Sequence, residues 1–242
     1  MLVSTRGIVL HSTKYSDTSL IVKIYTELRG TQSFIIKGAF SKKSKMRASW
    51  FAPLSILHIT YLERREDGLN YLKDVTREKA TAEQPFDPAI SSILLFYNEL
   101  LYKLLYDAGP DDALFHFILQ ELALLNIGVN GNAKVNVSDC PIQFLLRLSS
   151  ILGIRPQDNF TDTNCYFSIE AGIFRAYRLD DNLDLTVEES RYLHQLLAED
   201  EGVATSRNLR NALLQHLIQY YIMHNEHIRQ LESVDILAAV LH

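Results

Sequence analysis

The sequence has 242 residues but only two cysteines, Cys140 and Cys165, and no CxxC pair. Two cysteines are too few for the disulfide framework of a small secreted protein, and paired thiolates at zinc-finger spacing are missing. No apolar run approaches the roughly 20 residues that a membrane-spanning helix needs. The first residues lack the apolar core and cleavage site of a signal peptide. These absences predict a cytoplasmic protein that does not bind a membrane.

Glycine-rich phosphate loops and the serine nucleophile elbow are also absent, because the sequence contains no GxxxxGK[ST], GxGxxG or GxSxG. Cys140 follows Asp139, which we predict to cap a helix, and a helix N-terminus lowers a thiol pKa, but no general base is identifiable. His224 and His227 could share one helical face, yet no third metal ligand is close in sequence. We therefore expect no enzymatic activity, no cofactor and no metal. A metal-dependent enzyme that uses these histidines and Cys140 remains an alternative.

The charges are distributed unevenly along the chain. Residues 1–80 hold 14 basic and 7 acidic residues, a net charge of +7, whereas residues 81–242 hold 10 basic and 22 acidic residues, a net charge of −12. An asymmetry of this size suggests that one part of the chain meets an anionic partner and the other part does not. The overall net charge of −5 hides this difference.

The first 80 residues have the alternating pattern of half-buried strands. Leu20, Val22 and Ile24 share one face of residues 18–26, and residues 55–62 alternate in the same way. Shorter strand candidates are residues 7–11, 32–37 and 69–75, with turn signals at Gly30 and residues 67–68. Five short strands in about 80 residues are typical of a small β-barrel.

Helical spacing replaces this alternation after residue 84. Asp87 followed by Pro88 has the pattern of an N-cap and a first helical position. Further helix starts are predicted at Asp111, at Asp139 and at the capping box that begins with Thr186. The remaining predicted segments are an irregular insertion at about 154–185, a long helix over 206–225 and a short one over 233–241. The sequence thus predicts an α+β protein with a barrel at 1–80 and a helical domain at 81–242.

The most informative segment is residues 37–51, KGAFSKKSKMRASWF, which carries five positive charges and no acidic residue. Lysine and arginine attract phosphates through counterion release, and aromatic faces stack on unpaired bases. Arg6, Lys14 and Lys23 could extend this patch across the barrel. The residues predicted to bind DNA are Arg6, Lys14, Lys37, Lys42, Lys43, Lys45, Arg47 and Trp50.

Another interpretation of this segment is a solvated loop whose aromatic side chains close the barrel. Trp50 and Phe51 come just before Pro53 and fit a core position better than a base-stacking one. Lys23 also fits a plain solvent-facing position. A third possibility is a protein-interaction scaffold, in which the barrel binds a partner protein and DNA contact is incidental.

Several runs of residues together resemble one protein family. In chain order they are residues 5–11 (TRGIVLH), 15–22 (YSDTSLIV), 37–39 (KGA), 97–101 (YNELL), 144–154 (FLLRLSSILGI), 166–174 (YFSIEAGIF) and 233–237 (SVDIL). Their order along nearly the whole chain resembles the RecO family of bacterial DNA repair proteins.

The resemblance implies an oligonucleotide-binding (OB) barrel followed by a helical domain. It also implies binding to single- and double-stranded DNA, annealing of complementary strands, partnership with RecR and help in loading the RecA recombinase. In this family the acidic, apolar tail of single-strand-binding protein docks on the helical domain. Arg147, Arg207 and Arg210 are the candidates to meet that tail, although a surface ion pair is an equal alternative for each.

The chain departs from the family pattern at one point. Many members carry four cysteines in the insertion as a zinc module, whereas here Cys165 alone lies in that region and Cys140 precedes it by a whole helix. The sequence therefore predicts no zinc, and any role of that module is in doubt for this chain.

Overall fold

A computed structural model describes residues 1–41, 46–63, 68–78, 87–129, 136–198 and 205–241. The chain forms two compact units, Met1–Ala133 and Lys134–His242. The boundary predicted between residues 80 and 81 lies outside the described residues and stays a prediction.

The first unit contains a closed barrel of five strands. These are β1 (Leu2–Lys14), β2 (Leu20–Thr26), β3 (Gly30–Ile36), β4 (Ile56–Leu62) and β5 (Asn70–Arg77). Their order around the barrel is β1-β2-β3-β5-β4. All neighbouring strands are antiparallel except β3 and β5, which pair in parallel. This arrangement confirms the predicted α+β class with an N-terminal five-stranded barrel.

Alternation along the strands builds the barrel core. Leu20, Val22 and Ile24 are buried, and the rings of Phe34 and Tyr61 meet edge to face at 5.0 Å. Strand β1 is longer than the predicted residues 7–11 because it serves two neighbours. Its first half pairs with β4 and its second half with β2. A bulge between Val9 and His11 interrupts the alternation there, and this explains why periodicity identified only part of the strand.

Two helices of the first unit pack on the outside of the barrel. They are α1 (Pro88–Leu104) and α2 (Asp112–Val129). The predicted Asp87 cap is confirmed, because its carboxylate accepts hydrogen bonds from the first-turn amides. The corner between the helices is fastened to the barrel at two points. Thr31 donates its amide hydrogen to the carbonyl of Ala108 at 2.9 Å, and the Tyr25 hydroxyl accepts from the Asp111 amide at 3.1 Å.

The second unit is mainly helical. Its elements are α3 (Cys140–Ile151), β6 (Tyr166–Ser168), β7 (Ile173–Arg175), α4 (Val187–Leu197), α5 (Arg207–His224) and α6 (Ser233–Val240). The capping box at Thr186 is confirmed. The buried Tyr221 hydroxyl donates to the Leu145 carbonyl at 2.6 Å and thereby joins α5 to α3.

Two local predictions in this unit were wrong. Asp139 stands at the N-cap position of α3 but makes no side-chain capping bond, since its carboxylate pairs instead with the Arg210 guanidinium at 2.6 Å. His224 and His227 do not share a helical face, because α5 ends at His224. The Nε2 atom of His224 lies 2.8 Å from the carbonyl oxygen of Ile169.

The segment predicted as an irregular insertion is organised by one buried carboxylate. Asp184 Oδ2 accepts hydrogen bonds from the amides of Leu179 at 2.7 Å and Asp180 at 3.0 Å. Burial acts to raise the pKa of Asp184, but the two amides, the Ser168 hydroxyl and the charge of Arg175 together lower it. The short strands β6 and β7 pair beside this turn, and Ser168 at the end of β6 forms a bridge to Asp184.

Gly30 is required where the helical corner meets the barrel. Its φ is +63°, and a Cβ there would lie 2.2 Å from the Ala108 carbonyl oxygen. Gly38 has a similar φ of +71° but faces open space, and it is therefore a matched control. We expect Gly38→Ala to lower the free energy of unfolding by about 1–2 kcal/mol, from backbone strain alone. Gly30→Ala should cost about 3 kcal/mol or more because the corner must also move.

Urea unfolding of the two variants beside the parent protein measures this difference. Equal losses for Gly30→Ala and Gly38→Ala would contradict the close approach of the helical corner to β3.

Candidate nucleic-acid interface

One end of the barrel gathers exposed basic and aromatic side chains. We call Lys14, Lys37, Phe40 and Tyr71 the barrel-end surface. Lys14 pairs with Leu20, which pairs on its other side with Ile36, so Lys14 and the end of β3 are two strand spacings apart, about 10 Å. Lys37 directly follows β3. The structure thus places two of the predicted DNA-binding lysines at the ends of β1 and β3, on either side of β2.

Each lysine of the barrel-end surface lies near an exposed ring. The Lys14 ammonium is 5.9 Å from the centre of the Phe40 ring, and that of Lys37 is 5.2 Å from the centre of the Tyr71 ring. Phe40 is 47% exposed and Tyr71 39% exposed. Cation–π attraction of this kind is weak at the surface, but it holds charge and aromatic face side by side. Such a surface can contact phosphates and bases together.

The basic loop adjoins this surface. Lys42, Lys43 and Lys45 lie outside the described residues. Arg47 is exposed. The amide of the next residue, Ala48, donates a hydrogen bond to the carbonyl of Ala39 at 3.1 Å. Because Ala39 directly precedes Phe40, this bond places Arg47 near Phe40. Asp17 is the acidic neighbour, with a carboxylate oxygen 3.9 Å from the Lys14 ammonium, and both side chains are well exposed. An exposed pair of this kind contributes little and leaves Lys14 accessible.

Trp50 has a role in packing. It lies in a short 3₁₀ helix, Ala48–Phe51, and packs half-buried against the barrel core, while Phe51 is fully buried. This placement agrees with the core interpretation of both rings. Contact between Trp50 and DNA stays a prediction.

Arg6 lies far from this surface, about 26 Å along β1 from Lys14. Its Nε donates to Glu27 Oε2 at 3.0 Å, and its guanidinium lies 5.4 Å from the centre of the Phe115 ring. The hydrogen bond to Glu27 is the main reason that the Arg6 pKa is raised, and Glu78 and Asp112 act in the same direction. Because this neighbourhood is already acidic, phosphate approach is less favourable here than at the barrel end.

Lys23 is also engaged within the first unit. Its ammonium donates to the Tyr106 carbonyl at 2.9 Å and lies 3.2 Å from the centre of the Tyr106 ring. The structure therefore separates Arg6 and Lys23 from the barrel-end surface, on which Lys14, Lys37 and Arg47 converge.

Glu27, Asp112 and His116 form a group that could hold a metal ion. Each offers one ligand atom, and these atoms lie within 4.8 Å of one another. However, Arg6 already supplies a positive charge to Glu27, and Arg6 Nη2 lies 3.2 Å from His116 Nε2. A divalent cation would have to displace that guanidinium. The arrangement fits a charge network joining β1, β2 and α2 better than a metal centre.

The three arginines predicted to meet a partner differ in their surroundings. Arg210 is 15% exposed and paired with Asp139. Arg147 and Arg207 are exposed on α3 and α5, and Arg147 Nη1 lies 3.5 Å from Gln143 Oε1. Arg210 therefore forms an ion pair, which was the alternative to partner binding that the sequence allowed for each of these arginines.

Sequence reasoning missed Tyr71 as part of the surface. Its exposure next to half-buried Leu72 follows from strand alternation, which was the available signal. Its position beside Lys37 depends on the parallel pairing of β3 with β5, in which Ile35 faces Tyr71. Residues 36 positions apart in sequence meet there, and no local pattern reveals such a pairing.

Comparisons with known proteins point to one family. Residues 1–79 match the family model described as recombination protein O N terminal. The chain is 30% identical over 242 residues to a DNA repair protein RecO of Bacteroides fragilis, covering 98% of each chain. It is 30% identical to the RecO protein of Phocaeicola vulgatus, again over 98% of each, and 27% identical to that of Flavobacterium psychrophilum over 99% of each.

Within the described part of the chain, no helix has both the length and the apolar character needed to cross a bilayer.

The charge network at Glu27 has a testable pH dependence. The hydrogen bond from Arg6 lowers the pKa of Glu27 below its ordinary value of 4.5, against the opposing effect of burial. The stability supplied by the carboxylate is therefore complete above pH 4.5 and is lost as the pH falls through the lowered pKa. We expect Glu27→Gln to cost about 1 kcal/mol near pH 7, and we expect this cost to shrink as the pH falls below 4.5 through the lowered pKa.

Denaturant unfolding of the parent and Glu27→Gln proteins across this pH range tests the network. Asp17→Asn is the control, because Asp17 is fully exposed and its loss should be close to neutral. A cost of Glu27→Gln that does not shrink as the pH falls below 4.5, down to the pH at which the parent protein itself unfolds, would refute the network.

Proposed function

The chain belongs to the RecO family of DNA repair proteins, and from this premise we propose that it binds single- and double-stranded DNA, anneals complementary strands and assists recombinase loading. The OB barrel would hold the DNA. The proposal names no covalent step, and the chain would act by binding and positioning strands.

The barrel-end surface is the observation that carries the proposal. Lys14 and Lys37 are exposed at the ends of β1 and β3, and Arg47 is exposed on the segment that joins β3 to β4. Lys42, Lys43 and Lys45 belong to the same segment in the sequence. Cations gathered at one end of a barrel can neutralise several consecutive phosphates, which is the main source of sequence-independent affinity.

Annealing follows from contacts of this kind. Two complementary strands repel each other through their phosphates, and neutralisation of one strand lowers that barrier. A protein that holds mainly the sugar–phosphate backbone leaves base edges free to find their complements. We therefore expect weak sequence preference and an affinity that falls steeply as salt is added.

Protein partners are the second part of the proposal. We propose that the chain acts with RecR, that it meets the acidic tail of single-strand-binding protein through the helical region, and that it affects RecA indirectly. Arg147 and Arg207 are exposed in the second unit and suit an acidic peptide. Arg210 suits that role less well because its guanidinium is committed to Asp139.

The DNA-binding proposal is tested by replacing the basic loop. Lys42→Ala, Lys43→Ala, Lys45→Ala and Arg47→Ala together should weaken binding to all single-stranded sequences alike. The slope of log affinity against log salt should become shallower by about 0.7 for each lost phosphate contact, or by about 3 in all. Fluorescence anisotropy of labelled oligonucleotides between low and moderate salt measures both effects.

Arg229→Ala is the control for this experiment, since Arg229 is exposed in the second unit and belongs to none of the predicted sites. Absence of binding by the parent protein at micromolar concentration would count against the DNA proposal. Tight partner binding that survives the four replacements, with no DNA binding, would favour the scaffold alternative.

The partner proposal has its own test. Arg147→Ala with Arg207→Ala should reduce the affinity for a synthetic tail peptide of single-strand-binding protein while leaving the thermal unfolding midpoint unchanged. Arg210→Ala should instead lower that midpoint, because it leaves the Asp139 carboxylate without its guanidinium. Calorimetric titration and thermal unfolding of the same samples separate the two effects. Unaltered peptide affinity in the double variant would exclude these arginines from the docking site.

A further inference from the structure

A second group of aromatic and basic side chains lies on the outer wall of the barrel. We call His11, Lys23, Tyr102 and Tyr106 the wall cluster. His11 on β1 and Lys23 on β2 are direct partners in the strand register. Such partners point to the same side of a sheet. The final turn of α1 brings Tyr102 alongside them, and the turn that follows the helix brings Tyr106.

The rings of the wall cluster are held in a fixed arrangement. His11 and Tyr102 stack with their ring centres 4.8 Å apart and their planes 24° from parallel. Tyr102 meets Tyr106 edge to face at 5.7 Å. The Nε2 atom of His11 lies 2.8 Å from Thr13 Oγ1, and Lys23 is fixed by its bond to the Tyr106 carbonyl. Fixed rings lose little conformational freedom when they bind a ligand.

Exposure distinguishes these rings from those that fasten α1 and α2 to the barrel. Tyr25 and Phe115, which meet at the same barrel wall, are completely buried. Tyr106 is 56% exposed, and His11 is exposed as well. Tyr102 is half-buried between them, and the ring faces of His11 and Tyr106 that remain open are available to a ligand.

The chemistry of the wall cluster fits unpaired bases. Aromatic and imidazole faces stack on any exposed base, and a neighbouring ammonium attracts the phosphate that follows it. A duplex keeps its bases stacked inside and offers mainly phosphates to such a surface. His11 is three residues before Lys14 on β1, about 10 Å away, so that a strand held at the barrel end can reach it.

We propose that the wall cluster binds the bases of single-stranded DNA and that helix α1 is therefore part of the DNA interface. The barrel-end surface would attract any nucleic acid through phosphates, and the wall cluster would add a preference for single strands. This inference rests on the proposed function and deepens it, because it names the structural basis for distinguishing unpaired from paired DNA. It also extends the DNA interface beyond residues 1–80 into the part of the chain that carries a net charge of −12.

The test compares single-stranded and duplex DNA. The double variant His11→Ala with Tyr106→Ala should lose about tenfold in affinity for a 20-nucleotide thymidine oligomer, the loss typical of removing base stacking. Its affinity for a 20-base-pair duplex should stay within twofold of the parent. Tyr106→Phe should retain full affinity because the ring remains. Tyr177→Ala, which removes an exposed ring from the second unit, is the matched control and should change neither affinity.

Photochemical crosslinking provides a second measurement on the unaltered protein. Bromodeoxyuridine in the oligomer reacts with aromatic side chains that it touches, and we expect an adduct on the peptide that contains Tyr106. Equal losses for single strands and duplex, or no loss for either, would overturn the inference, as would crosslinks confined to other peptides. Failure of the parent protein to bind either DNA would instead refute the proposed function.

Discussion

The first unit depends on how its helical corner seats against the barrel. Thr31 and Tyr25 bind the chain between α1 and α2 through backbone groups, and Gly30 leaves no side chain between them. These contacts place both helices on one side of the barrel wall. The barrel end that carries Lys14 and Lys37 lies away from this corner, and its cations stay exposed. Attachment of the helices and exposure of the candidate interface are thus two results of one packing arrangement.

The excess of positive charge in the first 80 residues does not form a uniform surface. Arg6 is neutralised by Glu27 and Arg29 pairs with Glu63, whereas Lys23 is held beside the exposed Tyr106 ring in the wall cluster. Lys14 and Lys37 face solvent next to the exposed rings of the barrel-end surface. A net charge counted over a segment therefore indicates that an anionic partner is plausible, but the strand register decides which cations are available to it.

Local signals in the sequence predicted local structure well. Alternation located β2 and β4 within two residues, and the caps at Asp87 and Thr186 formed as expected because capping involves neighbouring residues only. The same reasoning failed at Asp139, where a distant partner, Arg210, competes for the carboxylate. Local patterns describe what a residue can do, and tertiary contacts select among those options.

Only part of the candidate site could be predicted, because local sequence patterns do not reveal tertiary contacts. The basic segment is contiguous in sequence and therefore visible, whereas Tyr71 reaches Lys37 only through the pairing of β3 with β5. The wall cluster combines strands β1 and β2 with a helix some 80 residues later. No periodicity links His11 to Tyr102, and their stacking follows from the docking of α1.

Strand β1 also sets the order in which the barrel can assemble. Its second half pairs with β2, which follows directly in the sequence. Residues Leu2 to Ile8 pair with β4, which is synthesised about 50 residues later. During synthesis the amino-terminal half of this strand is an unpaired edge with free backbone donors and acceptors. Until residues 56–62 emerge from the ribosome, that edge is open to pairing with another chain.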